Sequence, residues 1–261
     1  MSDMTYLSRI LEEKRQAVLA LKQQRPLQHY LEQETELSPC RDFQGCLKRS
    51  VDRIKLIAEI KKASPSRGLI VSDFKPLEMA RRYMDLGASA FSVLTEEVFF
   101  QGSPDYLKEV RRAFSLPVLR KDFILDECQI FESRLMGADA ILLIVAALDP
   151  HQLQDYLDLA RQTGLHVLVE VHDHRELDIA LNAGSMIIGI NNRDLRDFSV
   201  NLHTSIKLRP YIPEGIVSVS ESGVKTAADA ALLDNASFDA VLIGEGLHVS
   251  EDLKRVIWTE T

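Results

Sequence analysis

The chain has 261 residues, 46% of them hydrophobic, enough to bury a sizeable core, and a formal net charge of −8 at pH 7. Acidic and basic residues are interspersed, which argues against a nucleic-acid-binding surface but leaves room for a local basic pocket that takes a small anion. No apolar run reaches the roughly 18 residues of a membrane span, and the start of the chain, charged from Arg9 to Arg15, lacks the apolar core of a signal peptide.

Residues 4 to 22 read as an amphipathic helix, with Leu7, Ile10, Leu11, Val18 and Leu21 near one face. Pro26 and Pro39 bracket a short polar segment, and Arg41 to Arg49 suits a further helix. Residues 1–54 are therefore expected to form a helical extension. From Lys55 a strand-then-helix rhythm begins, and residues 55–261 are expected to form one structural domain together with it. Apolar runs predict strands at 55–63, 90–95, 117–123, 140–146, 166–172, 186–192, 216–222 and 239–244. Helical patterns lie between them: Pro76 to Leu86, Pro104 to Phe114, Asp126 to Met136 and Pro150 to Gln162, then Arg175 to Asn182, Leu202 to Tyr211, Ala227 to Leu233 and Glu251 to Trp258. Gly87, Gly137, Gly164 and Gly184 close several of these, as helix-ending glycines do. Strands and helices alternating over about 200 residues predict an α/β fold, a single (β/α)8 TIM barrel. The competitor is an open doubly wound sheet, which favours a G-x-G-x-x-G turn after its first strand; none occurs there.

The first strand carries the sharpest signal. In 56–68 the residues Leu56, Ala58 and Ile60 share one face, while Ile57, Glu59 and Lys61 share the other. A carboxylate and an ammonium aimed together from a buried strand are either a structural ion pair or part of a site. Barrel sites lie at the C-terminal strand ends. Polar residues recur there: Thr95 and Glu96, Lys121, Glu170, Asn191, Glu221 and Ser222, and Gly244 with Glu245. Lysines among carboxylates stay protonated and can donate a proton or bind an anion, and a partly desolvated carboxylate can exchange protons near neutrality. Two glycine clusters, Glu221-Ser222-Gly223 and Gly244-Glu245-Gly246, follow the seventh and eighth strands, where barrels often bind phosphate; each is equally readable as a tight turn. His172 and His174 are too few for a convincing metal site and read better as the start of a loop. Cys40, Cys46 and Cys128 are odd in number and lack C-x-x-C spacing, which suits a reduced, cytoplasmic protein that uses them as small hydrophobes.

Taken together, these stretches resemble a known family, the indole-3-glycerol-phosphate synthases of tryptophan biosynthesis. IAEIKKASPSRG (57–68) is similar to that family's signature segment. FSVLTE (91–96), FFQGS (99–103), LPVLRKDFI (116–124), ADAILLIVAAL (138–148), LVEVH (168–172), IGINNRDL (188–195), SESG (220–223) and VLIGEG (241–246) follow in order, and Arg41-Asp-Phe43 also fits. The resemblance implies a barrel whose N-terminal extension partly covers the site. It implies conversion of 1-(2-carboxyphenylamino)-1-deoxyribulose 5-phosphate to indole-3-glycerol phosphate, carbon dioxide and water, with no metal or organic cofactor. The implied partner is the phosphorylated small-molecule substrate, with no nucleic acid, membrane or obligate protein partner. By the same resemblance Lys121 is the general acid. Lys61 either holds the anthranilate carboxylate or donates a later proton. Glu170 and Glu59 transfer protons, Asn191 positions the reacting groups, and Ser222 is grouped with this catalytic set. Phe100, Phe123, Leu142, Arg193 and Glu221 are expected to line the substrate pocket. Ser64, Gly223, Gly244 and Glu245 complete it, largely around the phosphate. Gly246 and His248 depart from the family's usual serine and methionine, which touches only the outer edge of the phosphate loop. The chain stops soon after the eighth helix, so no fused isomerase is expected. Two other readings are a Schiff-base aldolase using Lys121 and a silent barrel that only binds a phosphometabolite.

Overall fold

Strand alternation decides where every side chain of this barrel goes. In the computed structural model, which describes residues 5–24, 37–49, 53–194, 196–254 and 256, β1 spans Lys55–Ile60. Leu56, Ala58 and Ile60 face outward to the helices, while Ile57 faces the barrel interior. The same alternation holds in β4 (Ala90–Leu94), β5 (Val118–Lys121), β6 (Ala140–Ile144), β7 (His166–Val171), β8 (Ile187–Asn191), β9 (Val217–Glu221) and β10 (Ala240–Ile243). These strands are parallel and close in the order β1-β10-β9-β8-β7-β6-β5-β4. Ile57, Leu119, Leu142, Leu168, Val219 and Leu242 fill the interior, so the barrel is packed below its mouth. Each such side chain contributes about 2 kcal/mol by leaving water.

The helices follow from local chemistry. Proline opens those at Pro76–Asp85, Pro104–Ala113 and Pro150–Gln162, where its missing N–H costs nothing. Gly87, Gly137, Gly164 and Gly184 end helices with φ of 91°, 84°, 78° and 78°, the left-handed conformation that only glycine adopts freely.

The N-terminal part holds both ends of the barrel. Helix α1 (Tyr6–Gln24) packs Ile10 and Leu11 on the interior cluster beside Phe123 and Ile144, and Val18 on Cys128 and Phe131. Its Lys14 meets the buried Asp122 at 2.5 Å, immediately after β5, so the helix lies over the C-terminal mouth. The short helix α2 (Phe43–Leu47) buries Phe43 and Leu47 completely in the interior cluster. It closes the opposite end, because the Arg41 N–H donates to Asp139 Oδ1 at 2.7 Å and its guanidinium donates to Leu116 O at 2.7 Å, both at strand starts.

Three details differ from the sequence reading. The strand expected over 55–63 stops at Ile60, and residues 63–69 form a small hairpin, β2 (Ala63–Ser64) and β3 (Gly68–Leu69), joined by the turn at 65–67. A 3-10 turn at Val145–Ala147 ends the apolar run after β6. Gly244 caps a helical turn, Glu245–Val249, where a glycine loop was expected. Most of the segment between Pro26 and Pro39, and all of the last predicted helix beyond Lys254 except residue 256, lie outside the described residues.

Asp139 carries the N-terminal tie. Fully buried, it accepts from Arg41 N and from Val118 N at 2.9 Å, and it pairs with Arg111 Nε at 3.1 Å. Asp139→Ala leaves that cation and two N–H groups unmatched and is expected to cost about 3 kcal/mol in urea unfolding; a loss below about 1 kcal/mol would remove Asp139 from this role.

Candidate active site

Lys121 is the last residue of β5 and shares the inward face with Leu119. Its Nζ lies 2.8 Å from Glu170 Oε2 and 2.8 Å from Glu221 Oε2, at the ends of β7 and β9. Asn191, ending β8, donates from Nδ2 to Glu170 Oε1 at 2.9 Å. Beside this cluster Lys61 donates to Glu59 Oε2. Two ammonium groups and three nearly buried carboxylates therefore meet at one mouth. Glycine makes the room. A Cβ on Gly189 would strike the Glu221 carboxylate, and one on Gly244 would strike that of Glu59 and come within 3.1 Å of Lys61 Nζ. Gly244 thus serves the charged ring directly, a reason for glycine that the sequence alone does not reveal.

The charges polarise one another. Burial opposes the charge on Lys121, but Glu170 and Glu221 outweigh it and drive its pKa well up, so the ammonium is fixed. Burial likewise opposes ionisation of Glu170, yet Lys121 and His172 hold it well below the usual carboxylate range. Glu221 goes the other way. Burial, reinforced by the charge of Glu170, outweighs Lys121 and lifts it to about 7, and its Oε1 is buried without a hydrogen-bond partner. The two carboxylates on Lys121 are thus pushed in opposite directions, Glu170 down and Glu221 up.

These groups form the floor of a cavity of about 460 Å³. All fifteen residues named as candidates from the sequence line it: Glu59, Lys61, Ser64, Phe100, Lys121, Phe123, Leu142, Glu170, Asn191, Arg193, Glu221, Ser222, Gly223, Gly244 and Glu245. The wall has two arcs. After β4, β5 and within β6, Phe100, Phe123 and Leu142 make an apolar side, with the two rings 6.3 Å apart and Leu7 and Ile10 of α1 adjoining them. From β8 round to β1, Arg193, Ser222, Gly223, Gly244 and Ser64 make a polar side. There Ser222 and Gly223 both hold left-handed backbone, φ 63° and 96°. Arg193 lies 5.9 Å over the Phe198 ring and donates to Phe198 O at 3.1 Å, while Arg67 of the hairpin reaches Glu245 at 2.7 Å across the rim.

Not every strand-end charge joins the ring. Glu96 accepts from the N–H groups of Val98, Phe99 and Phe100 at 3.0, 2.7 and 2.9 Å, which sets the Phe100 loop. Thr95 donates to Asp122 at 2.6 Å. Asp122 and Asn192, which the sequence reading did not single out, are the buried polar anchors of α1 and of the turn after β9. Their only sequence signal is adjacency to Lys121 and Asn191. His172 and His174 meet different carboxylates, Glu176 at 2.9 Å and Asp178 at 3.2 Å, and among the described residues no group of three or more His, Cys, Asp or Glu could hold a metal ion. Burial lifts the Cys46 and Cys128 thiols to about 12, so both behave as small hydrophobes. Among the described residues no helix is long and apolar enough to cross a membrane.

A closed (β/α)8 barrel with a buried acid–base set beneath a two-sided cavity defines a barrel enzyme. Comparison with known proteins narrows the class. Residues 7–259 match the family "Indole-3-glycerol phosphate synthase", and the chain belongs to that family. It is similar to the indole-3-glycerol phosphate synthases of Chlorobium limicola, 65% identical over 98% of this chain and 99% of that one, and of Pelodictyon phaeoclathratiforme, 63% identical over 98% and 100%. That of Chloroherpeton thalassium is 56% identical over 98% of this chain and 100% of its own length. Among solved structures, the N-acetylmannosamine-6-phosphate 2-epimerase from Clostridium perfringens has a TM-score of 0.60 at 12% identity, covering 79% of this chain and 90% of that one, a likeness of fold alone.

His172 makes the cluster measurable by pH. Burial lowers its proton affinity, but Glu170 and Glu176 outweigh this and raise its pKa to about 10. The folded protein keeps this proton after the unfolded chain has released it near pH 6.5, the ordinary range of an imidazole. The stabilisation is therefore complete below about pH 6.5 and is lost as pH rises through about 10. Urea midpoints between those limits are expected to fall more steeply for the unaltered protein than for His172→Gln. Equal slopes would show that His172 is not held charged.

Proposed function

We propose that the chain catalyses ring closure, decarboxylation and dehydration of 1-(2-carboxyphenylamino)-1-deoxyribulose 5-phosphate to indole-3-glycerol phosphate. As a member of its family the protein is a carboxy-lyase of tryptophan biosynthesis. One observation carries the mechanistic reading: the Lys121 ammonium, clamped by Glu170 and Glu221, lies between an aromatic arc and a polar arc. The substrate has that layout, with an aromatic acid at one end, a phosphate at the other and the reacting carbonyl between.

Phe100, Phe123 and Leu142 take the ring, and the turns at Ser222-Gly223 and Gly244-Glu245, with Ser64 and Arg193 beside them, take the phosphate end. The ring carbon that bears the carboxylate attacks the ketone carbon. Lys121 donates a proton as negative charge grows on the carbonyl oxygen, which becomes a hydroxyl. Carbon dioxide leaves, and its bonding electrons restore the aromatic ring. The hydroxyl then departs as water with a second proton, while a carboxylate, Glu170 or Glu59, removes a proton from the carbon next to nitrogen. Lys61 either supplies that second proton or holds the anthranilate carboxylate, and Asn191 keeps Glu170 oriented. Phosphate binding far from the reacting carbons supplies energy for positioning them. No metal or organic cofactor enters this scheme. The described N-terminal residues, 5–24 and 37–49, belong with the barrel to one structural domain, and the protein works in the cytoplasm without an obligate protein partner.

A Schiff-base mechanism on Lys121 is disfavoured, because an amine held protonated by two carboxylates is a poor nucleophile. The test is an assay with the carboxyphenylamino-deoxyribulose phosphate, followed by indole fluorescence. Lys121→Ala is expected to lower kcat by about a thousandfold or more while circular dichroism stays unchanged, and near-normal turnover would sink the assignment. Borohydride reduction in the presence of substrate is expected to trap no adduct on Lys121.

A further inference from the structure

Asn192 follows Asn191 out of β8 and is almost wholly buried. Its Nδ2 donates to Ser220 Oγ at 3.0 Å, Glu221 O at 2.9 Å and Ser222 O at 3.0 Å. Its Oδ1 accepts from Ser205 N at 3.0 Å, in the helix His203–Leu208. The backbone joins in, the Asn192 N–H donating to Glu221 O and its carbonyl accepting from Asn201 N, both at 2.9 Å. One side chain thus ties the end of β8, the end of β9 and the helix between them. It lies behind the turn that follows β9, whose Ser222 and Gly223 form part of the cavity wall. Ser222 keeps a left-handed φ of 63° that serine adopts only where its surroundings impose it.

We propose that Asn192 is a positioning residue that sets affinity for the phosphate end of the substrate by holding the turn Glu221-Ser222-Gly223 in its binding shape. This rests on the reading above that the turn meets the phosphate. The effect belongs to binding more than to chemistry. Glu221 is held from both sides by the sheet, paired with Asn191 of β8 and Leu242 of β10, whereas Ser222 and Gly223 lie beyond the paired residues. The side chain must be an amide. Serine is too short to span both strand ends, and aspartate would set a carboxylate against two carbonyl oxygens.

Asn192→Ala and Asn192→Ser are compared with the unaltered protein by steady-state kinetics, competitive inhibition by inorganic phosphate and thermal melting. Both are expected to raise KM and the phosphate inhibition constant in parallel, by about tenfold for alanine and less for serine, with kcat within about threefold. A lower Tm with both constants unchanged, or a fall in kcat at constant KM, would overturn the proposal. Should alanine prevent folding, the smaller change to serine reads the same two constants. If phosphate inhibits all three proteins equally, this proposal fails alone. If it does not compete with substrate in the unaltered protein, the phosphate reading of the turn fails and the proposal with it.

Discussion

An ammonium between two buried carboxylates is the constraint around which this barrel is arranged. Removing Lys121, Glu170 and Glu221 from water costs several kcal/mol per charge before any pairing, and contacts at 2.8 Å offset that only where the geometry is held. The sheet holds it, because Lys121 and Glu221 end their parallel strands, Glu170 is the last residue but one of its own, and all three face the same interior. A packed hydrophobic triad would be at least as stable. The charged set is therefore better understood through its chemistry than through stability. Gly189 and Gly244 belong to the same arrangement, since each leaves space for a carboxylate that a methyl group would displace.

The chain around β5 shows how one short run serves three layers. Arg120 points outward and meets Asp122 at 3.1 Å, Glu132 at 2.9 Å and Ser133 at 2.9 Å, joining the strand to its helix. Lys121 points inward to the floor of the cavity. Asp122 ends the run and receives Lys14 of the N-terminal helix. Cover, floor and outer wall of the cavity are thus connected through consecutive residues, so the helix that supplies Leu7 and Ile10 to the apolar arc is anchored one residue from Lys121.

The two arcs differ in what they offer a ligand. Aromatic and aliphatic side chains reward burial of an apolar group by area, without direction. The turns of the polar arc offer directional groups whose value depends on a fixed backbone, which is why buried anchors such as Asn192 stand behind them. Glu96 does the same for the apolar side, its carboxylate gathering three N–H groups to set the loop that carries Phe100.

Much of this was written in local pattern. Period-two alternation places Ile57, Glu59 and Lys61 on one face, helix-ending glycines mark the rhythm of the barrel, and the polar residue at each strand end names the rim. These are short-range properties of backbone geometry, and a single chain carries them in full. The two-residue strands of the 63–69 hairpin and the helical turn after Gly244 are too short to leave a periodic signal. Partnership is a different matter. Lys121 meets Glu170 and Glu221, 49 and 100 positions away, and Glu96 turns aside to its own loop while Glu221 becomes half of the clamp. Barrel closure and the stagger of its strands bring those atoms together, and their surroundings then push carboxylates that are alike in sequence in opposite directions, Glu170 down and Glu221 up. The amino-acid sequence determined which charges reach the mouth of the barrel; only the closed tertiary structure decided which of them touch.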